Sequence, residues 1–149
     1  MPKNEDPLLG FRFKLDVQGK VTGFFTEIGG VGSETEIVEH KVVDPNTHQD
    51  LIQKVPGRLK WGDISLKRGV TSSLDIWDWR AEVEAGDMRA ARRNGSITMY
   101  DLEGKESARW NFASGWPQKV SGPNLKSDSN EFGVEELVIV HEGIKREKV

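Results

Sequence analysis

The sequence has 149 residues, of which 36% are hydrophobic and 16 are glycines, and it carries 21 lysines and arginines against 24 acidic residues. This length suits a single domain spanning residues 1–149. The formal charge of -3 provides no cationic field for sequence-specific nucleic acid binding, and the lack of cysteine excludes disulfides, thiolate metal sites and cysteine nucleophiles. The lean apolar fraction favours thin sheets with polar outer faces over a helical bundle.

The first predicted elements are the two arms of a β-hairpin. Apolar and charged side chains alternate over residues 11–17, the period expected of a strand with one buried face. Gln18-Gly19 supplies a turn, and residues 21–26 return as the second arm. A flexible glycine corner follows at residues 29–32, and residues 34–43 then form a strand with few large apolar side chains. We expect that strand to be exposed to solvent along much of its length.

The middle of the chain predicts a long surface loop followed by a bent strand. Residues 44–57 carry chain breakers near both ends, including Pro56-Gly57, and they are long for a connection within a compact domain. Leu59 and Trp61 alternate with basic residues, and the same alternation resumes after Gly62-Asp63. The spacing therefore predicts one strand interrupted by a β-bulge.

One helix is predicted after this strand. Ser72 and Asp75 have the spacing of a capping box, and Ile76 and Trp79 follow on one helical face. Basic residues at the far end complement the helix dipole; they are Arg89, Arg92 and Arg93. The pattern predicts a helix that reaches these arginines, with Gly86 as an alternative stop.

The last third of the chain is predicted to be mainly β. Residues 96–102 and 107–112 flank Glu103-Gly104 and have the pattern of a second hairpin. An irregular crossing over residues 116–130 then leads to a last strand at residues 132–141.

The two ends are predicted to lie outside this framework, with residues 1–9 as an N-terminal arm and residues 144–149 as a charged tail. The arm contains acids and prolines where a secretory signal needs an apolar run. No segment approaches the roughly 20 apolar residues of a membrane span. We therefore expect synthesis in the cytoplasm of the producing cell, no signal peptide and no stable membrane association.

No residue pattern predicts catalysis, a cofactor or a metal site. The histidines, His40, His48 and His141, lack metal-ligand spacing, and we expect His141 to be solvated or to cap a strand. Glu135 and Glu136 are successive strand residues whose side chains point to opposite faces, which defeats the convergence that paired catalytic carboxylates need. We expect no enzymatic activity.

A series of short segments in a fixed order extends over most of the chain. They are residues 11–17, Gly23-Phe24-Phe25 through Gly29, Lys54-Val55-Pro56-Gly57, Leu66-Lys67-Arg68-Gly69, Trp77 with Trp79, Trp110 with Phe112, Trp116-Pro117, Gly122-Pro123, and residues 135–137 with His141-Glu142-Gly143. Together with the length, this order resembles the tail tube family of contractile-tailed phages and of phage-derived contractile injection systems, over about residues 8–143. Residues 43–53 and the end of the chain depart from the family pattern.

The resemblance implies a mainly β fold of two packed antiparallel sheets with one flanking α-helix. It also implies that six copies close into a ring in which the sheets join as one continuous barrel, and that rings stack into a hollow tube. Contraction of a surrounding sheath drives such a tube through a target envelope, with DNA or protein cargo in the lumen. The implied partners are further copies of the chain, a sheath protein, and baseplate and tail-terminator or cap proteins; no cofactor is implied.

A ring that also stacks needs two different contact patches. Residues 34–43 can satisfy open backbone groups against a neighbour, and residues 44–57 can bury apolar side chains against the next ring. The candidate ring and stacking residues are Glu34, Glu36, Val38, Asp44, Leu51, Ile52, Lys54, Pro56, Gly57 and Arg68. From the net charge, we expect a negative or mixed lumen lining that does not retain DNA or acidic protein.

Two other interpretations remain open from the sequence. One is the related tube of a type VI secretion apparatus, which shares the physics of a stacked ring. The other is a monomeric β-sandwich that binds carbohydrate through exposed tryptophans, since the chain has five.

Overall fold

The computed structural model describes residues 12–123 and 133–148, and within them it contains ten strands and two helices. The strands are β1 (Arg12–Val17), β2 (Val21–Phe25), β3 (Glu27–Gly29), β4 (Ser33–Val43), β5 (Asp50–Trp61), β6 (Ile64–Gly69), β7 (Arg93–Tyr100), β8 (Glu106–Ser121), β9 (Val134–Val140) and β10 (Ile144–Glu147). The helices are α1 (Asp75–Glu84) and α2 (Met88–Ala91). The prediction of a mainly β fold is confirmed. The predicted arm at residues 1–9, Phe11 and the stretch from 124 to 132 lie outside the described residues.

Most strands lie on one antiparallel path in the order β2-β1-β7-β8-β9-β6-β3. Strand β8 is long enough to take part in two sheets. Its first part pairs with β7 and β10 in a sheet that also contains β1 and β2. Its second part pairs with β9 in a sheet that continues through β6 to β3. The predicted pair of antiparallel sheets is therefore confirmed, and we call this body, with its helices, the sandwich.

The core lies between the two sheets and helix α1. Leu15 of β1, Leu66 of β6, Leu137 of β9 and Trp79 of α1 are fully buried and belong to one hydrophobic cluster. The indole Nε1 of Trp79 donates a hydrogen bond of 2.7 Å to the carbonyl of Ala91, which satisfies the polar atom of this buried ring and ties α1 to α2.

Both predicted hairpins are present. Strands β1 and β2 pair up to Val17 and Val21, and Gly19 in the turn has a φ of 72°. Strands β7 and β8 form the second hairpin, whose turn contains Gly104 with a φ of 83°. Glycine adopts this left-handed conformation without the steric cost that a side chain imposes.

Helix α1 is shorter than the longer prediction and has no capping box. Its first residue is Asp75, and the preceding Leu74 makes no side-chain cap hydrogen bond, so the proposed role of Ser72 is wrong. The helix stops before Gly86, whose φ is 83°, which confirms the alternative stop. The short helix α2 follows, and Arg93 already belongs to β7.

Two regions that were predicted to lie outside the strands, part of the irregular crossing and part of the charged tail, belong to strands. Strand β8 continues through Trp116-Pro117 to Ser121, because a shift in register between Pro117 and Lys119 accommodates the proline. Residues 144–147 of the predicted charged tail form β10, whose backbone pairs with β8 while Ile144 is buried. The irregular-crossing prediction is thus wrong for residues 116–121, and the tail prediction is wrong for residues 144–147.

The largest departure from the sequence prediction is a separate two-stranded sheet formed by β4 and β5. Strand β4 confirms the predicted exposed strand, but the loop predicted over residues 44–57 is confined to residues 44–49. A register shift between Thr35 and Ile37 lets β5 pass through Pro56-Gly57 without losing its partner. Strand β5 ends at Trp61 and β6 begins in another sheet, so the predicted single bulged strand is two strands.

Candidate assembly interface

Nine of the ten candidate interface residues lie in one unit, residues 33–61, which we call the ribbon. Three lie on β4: Glu34, Glu36 and Val38. Asp44 lies at the tip, and the other five lie on β5: Leu51, Ile52, Lys54, Pro56 and Gly57. Arg68 is the tenth candidate, and it lies in β6 of the sandwich.

The ribbon exposes apolar side chains on both of its faces. Residues directly opposite each other on paired strands share a face. On the first face, the exposed aliphatic side chains are Ile37, Val43, Ile52 and Leu59. On the second face, they are Val38, Val42 and Leu51. Ile52 on the first face is 63% exposed and Leu51 on the second face is 46% exposed, so the described part of the subunit does not cover either face.

Charged side chains alternate with these apolar groups. The Nζ of Lys60 lies 2.8 Å from Oε1 of Glu36, and the hydrogen bond from Lys60 to this carboxylate raises the pKa of Lys60 above its ordinary value. Glu39 and Lys54 are direct cross-strand partners of opposite charge. Because these groups are exposed, they add little to the stability of the subunit.

Asp44 organises the tip of the ribbon. Its Oδ1 accepts hydrogen bonds from the backbone N–H of Asn46 at 2.8 Å and of Thr47 at 3.4 Å, and the bond from Asn46 lowers the pKa of Asp44. Its backbone N–H donates to the carbonyl of Gln49, and its carbonyl accepts from His48. The candidate residue Asp44 therefore holds the loop that presents the neighbouring apolar residues.

At the base of the ribbon, the backbone of residues 30–32 lies close to the backbone of residues 62–63. The N–H of Gly62 donates to the carbonyl of Gly32 at 2.9 Å, and a Cβ on Gly62 would lie 2.6 Å from the carbonyl oxygen of Gly30. Gly30 has a φ of 79°, and a Cβ there would overlap the carbonyl oxygen of Asp63. Of the glycines in the predicted flexible corner, Gly30 is therefore required by close packing, whereas a Cβ on Gly29 or Gly32 would meet nothing within 4 Å.

Arg68 lies inside the subunit instead of on an exposed contact surface. Its residue is 5% exposed, its Nη2 donates to Oδ1 of Asp75 at 2.6 Å and its Nε donates to Oε2 of Glu135 at 3.2 Å. The indole Nε1 of Trp77 donates to the other oxygen of Glu135 at 2.9 Å. Arg68 thus joins β6 to α1 and β9, a role that differs from the predicted interface contact.

The same cluster explains the ionisation of Asp75. Burial raises the pKa of Asp75, but the hydrogen bond and charge of Arg68 and the backbone N–H of Ile76 outweigh it. The net result is a pKa below the ordinary value of 3.8. The predicted opposite orientation of Glu135 and Glu136 is confirmed, because Glu136 instead accepts from Ser65 on the far face.

The outer face of the β1-β7-β8-β10 sheet is polar and of mixed charge. One row of cross-strand partners on this face is Lys14, Thr98, Arg109 and Glu147. The next row is Asp16, Ser96, Asn111 and Lys145. Cations and acids are therefore neighbours on this surface, and Arg109 Nε lies 3.7 Å from Glu147 Oε2.

Residues 12–123 and 133–148 contain no group of three or more histidine, aspartate or glutamate side chains that could hold a metal ion. In this same part of the chain, neither helix has the length and apolar character needed to cross a membrane. Trp79 is fully buried, and Trp77, 37% exposed, directs its N–H to Glu135. Trp61 and Trp110 are half-buried and pack against the hydrophobic core.

A family model described as the T4-like virus tail tube protein gp19 matches residues 9–145. The chain belongs to this tail tube family. The match confirms the family resemblance seen in the sequence and extends over both the sandwich and the ribbon. No curated protein sequence matches the chain.

Solved structures of similar fold agree with this assignment. A chain of the PVC sheath–tube complex of an extracellular contractile injection system in the extended state has a TM-score of 0.76 and 20% identity, covering 97% of this chain and 93% of that one. The tube-terminating cap of the anti-feeding prophage has a TM-score of 0.70 and 17% identity, covering 100% and 95%. Hcp1 from Flavobacterium johnsoniae has a TM-score of 0.54 and 14% identity, covering 91% and 94%.

Proposed function

We propose that copies of this chain close into hexameric rings, and that the rings stack into the hollow inner tube of a contractile phage tail or injection particle. The observation that carries this proposal is the ribbon, which has apolar side chains on two opposite faces and no cover from the described part of its own subunit. The chain then acts as a structural subunit without enzymatic activity.

An isolated two-stranded ribbon is only marginally stable in water. Its aliphatic side chains favour burial, and fully burying one Val, Leu or Ile contributes about 1.5–3 kcal/mol. Because the ribbon has two such faces, a single partner covers only one of them. Two neighbours are needed, as they are in a ring that also stacks.

We assign the two contacts by the position of each segment. The outer edge of β4 pairs with or packs against the neighbour in the ring, where Glu34, Glu36 and Val38 lie. The tip, with Leu51 and Ile52, packs against the next ring along the axis. Lys54 and Glu39 lie beside these apolar groups, and their charges select the register of the contact.

The mixed-charge outer face of the β1-β7-β8-β10 sheet is the surface we assign to the lumen. Joined around six subunits, it gives a continuous barrel whose lining alternates cations such as Lys14 and Arg109 with acids such as Asp16 and Glu147. Such a lining presents no uniform field to DNA or protein cargo, so cargo passes without being retained.

The remaining partners follow by analogy with the proteins of similar fold, which come from a sheath–tube complex, a tube-terminating cap and a baseplate. We propose that a sheath surrounds the tube, and that baseplate and cap proteins bind its two ends. The subunit is made in the cytoplasm of the producing cell and assembles there into the particle.

The test is assembly with ribbon variants co-expressed with the neighbouring sheath and baseplate genes. Deleting residues 48–52, or substituting Leu51→Ser with Ile52→Ser at constant chain length, removes the axial contact and should abolish tubes in negative-stain electron microscopy. The matched control is Leu102→Ser, because Leu102 is 60% exposed but lies outside the ribbon. Normal long tubes from the deletion variant refute the assignment.

A type VI secretion tube is the second candidate, because Hcp1 from Flavobacterium johnsoniae shares the fold at a TM-score of 0.54. The PVC chain is more similar, at 0.76, which favours the contractile particle. Purifying the protein with its native neighbours separates the two, since recovery in free sheathed particles supports the first and recovery only with a cell-envelope complex supports the second.

A further inference from the structure

His141 lies where the ribbon leaves the sandwich. It follows the last residue of β9, and its imidazole lies near two aromatic rings. The ring centroid of Trp61, the last residue of β5, is 6.0 Å away, and that of Phe112 in β8 is 6.1 Å away. The side chain therefore lies near both the ribbon and the sandwich.

Both imidazole nitrogens have backbone hydrogen-bond partners. The Nε2 atom lies 3.0 Å from the carbonyl oxygen of Gly62, and the N–H of Gly143 points to Nδ1 at 3.1 Å. A carbonyl oxygen only accepts and an N–H only donates. The neutral imidazole with its proton on Nε2 is the one form that satisfies both partners.

Gly62 extends this link to the whole base of the ribbon. Gly62 directly follows β5, and its N–H donates to the carbonyl of Gly32, just before β4. Its carbonyl accepts from His141. A groove of about 850 Å³ beside this corner is lined by Trp61, Gly143 and Ile144, among others. His141 is therefore linked through Gly62 to both ends of the ribbon.

We propose that His141 is a positioning residue for assembly, whose neutral imidazole holds the ribbon in the direction that its neighbours require and whose protonation releases it. The proposal rests on the ribbon contacts of the proposed function. A protonated imidazole donates from both nitrogens, so the N–H of Gly143 loses its acceptor. The flanking rings tolerate a cation, but they do not replace that hydrogen bond.

The charged groups around this corner form no ion pair with His141 in the described structure. On the segments packed around His141, they are Lys60 of β5, Asp63 after it, Arg109 of β8, Glu142 of the turn and Lys145 of β10. None of the ion pairs between described residues includes His141. Protonation therefore removes the acceptor of the Gly143 N–H, and no existing ion pair of His141 offsets this loss.

The direct test measures how firmly the ribbon is held in the unassembled subunit. Because the chain has no cysteine, Gln49→Cys at the ribbon tip and Glu103→Cys at the β7–β8 turn place two unique spin labels on exposed positions. Diluting labelled protein with unlabelled protein suppresses the signal from pairs of labels on different subunits. The width of the label-to-label distance distribution is then recorded from about pH 8 to about pH 5, the range in which histidine changes charge.

We expect a narrow distribution at the upper pH that broadens in acid. In His141→Gln, which keeps a donor but gains no charge, the width should be independent of pH, and in His141→Phe it should be broad throughout. The controls His40→Gln and His48→Asn alter the two ribbon histidines and should leave the pH response intact. A wild-type width that does not respond to pH, or a response that survives in His141→Gln, overturns the proposal. Circular dichroism establishes that each variant is folded.

A tube-formation experiment distinguishes this proposal from the proposed function. Folded His141→Phe should give fewer or shorter tubes than the wild type under the co-expression conditions above. If Leu51→Ser with Ile52→Ser abolishes tubes while His141→Phe leaves them unchanged, the positioning role is wrong and the ribbon contact stands. If the double serine variant itself forms normal tubes, the ribbon contact is wrong, and the spin-label result still decides whether His141 holds the ribbon.

Discussion

The sandwich and the ribbon contain the same kinds of strand residue but place them in opposite environments. In the sandwich, Leu66 and Leu137 are fully buried between two sheets and a helix. In the ribbon, Leu51 and Ile52 remain exposed although their backbones are paired across β4 and β5. Backbone pairing therefore does not identify the core of this subunit. Aliphatic groups exposed on two faces of one strand pair form the surface at which we propose contacts beyond the subunit.

The largest expected effect concerns the buried ion pairs of the sandwich. Arg68→Ala leaves the 4% exposed Glu135 without its cation, and breaking such a pair costs about 3–5 kcal/mol. Urea unfolding of the subunit measures this loss. The neighbouring Lys67→Ala, which removes an exposed cation from the same strand, should change the free energy of unfolding by no more than about 0.5 kcal/mol. Equal effects of the two variants would contradict the assigned role of Arg68.

The second prediction compares one leucine from each region. Leu66→Ala creates a cavity in the core and should lower the free energy of unfolding by about 2–5 kcal/mol. Leu51→Ala should change it by about 0.5 kcal/mol or less, because that side chain is already 46% exposed. The order should reverse for tube formation, in which Leu51→Ala has the larger effect on the folded protein. A loss of stability in Leu51→Ala as large as that in Leu66→Ala would place the ribbon inside the core.

The third prediction concerns acid. The pKa of Asp75 is lower in the folded state than its ordinary value of 3.8, so its charge stabilises the fold above that value, and this stability is lost as the pH falls through the folded pKa. Unfolding experiments between about pH 5 and pH 2 should therefore show a steeper loss in the wild type than in Asp75→Asn. The control is Asp78→Asn on the exposed side of the same helix. Parallel pH profiles for wild type and Asp75→Asn would exclude this contribution.

The smallest expected effect is at the exposed ion pair of the ribbon. Lys60→Ala removes the partner of Glu36. Because the side chains of this ion pair are exposed to water in the wild type, the melting temperature of the subunit should not change measurably. Calorimetry at low and high salt checks this result. A clear drop in melting temperature at low salt would show that the ribbon contributes to the stability of the isolated subunit.

Patterns that are local in the sequence predicted their elements well. The alternation before Gln18-Gly19 predicted the first hairpin, because the turn and both strands lie within a few residues. The second hairpin around Glu103-Gly104 followed from the same reasoning. Gly86 marked the end of α1, since its backbone adopts a conformation that other residues avoid.

Elements that depend on distant partners were missed. Strand β5 runs through Pro56-Gly57, which normally break strands, and only its pairing with β4 and a shift in register make the breakers tolerable. All residues of strand β10 after Ile144 are charged, so the sequence shows no alternating pattern from which its pairing with β8 could be predicted. The role of Arg68 depends on Glu135, 67 residues further along the chain, and no local signal connects the two.

Hydrogen–deuterium exchange of the ribbon amides, compared between isolated subunits and assembled tubes, tests the central claim most directly. If the ribbon is an assembly surface, the backbone amides of β4 and β5 should exchange rapidly in the subunit and become strongly protected in the tube, while those of the sandwich core are protected in both. Ribbon amides that exchange equally fast in both states would contradict the account.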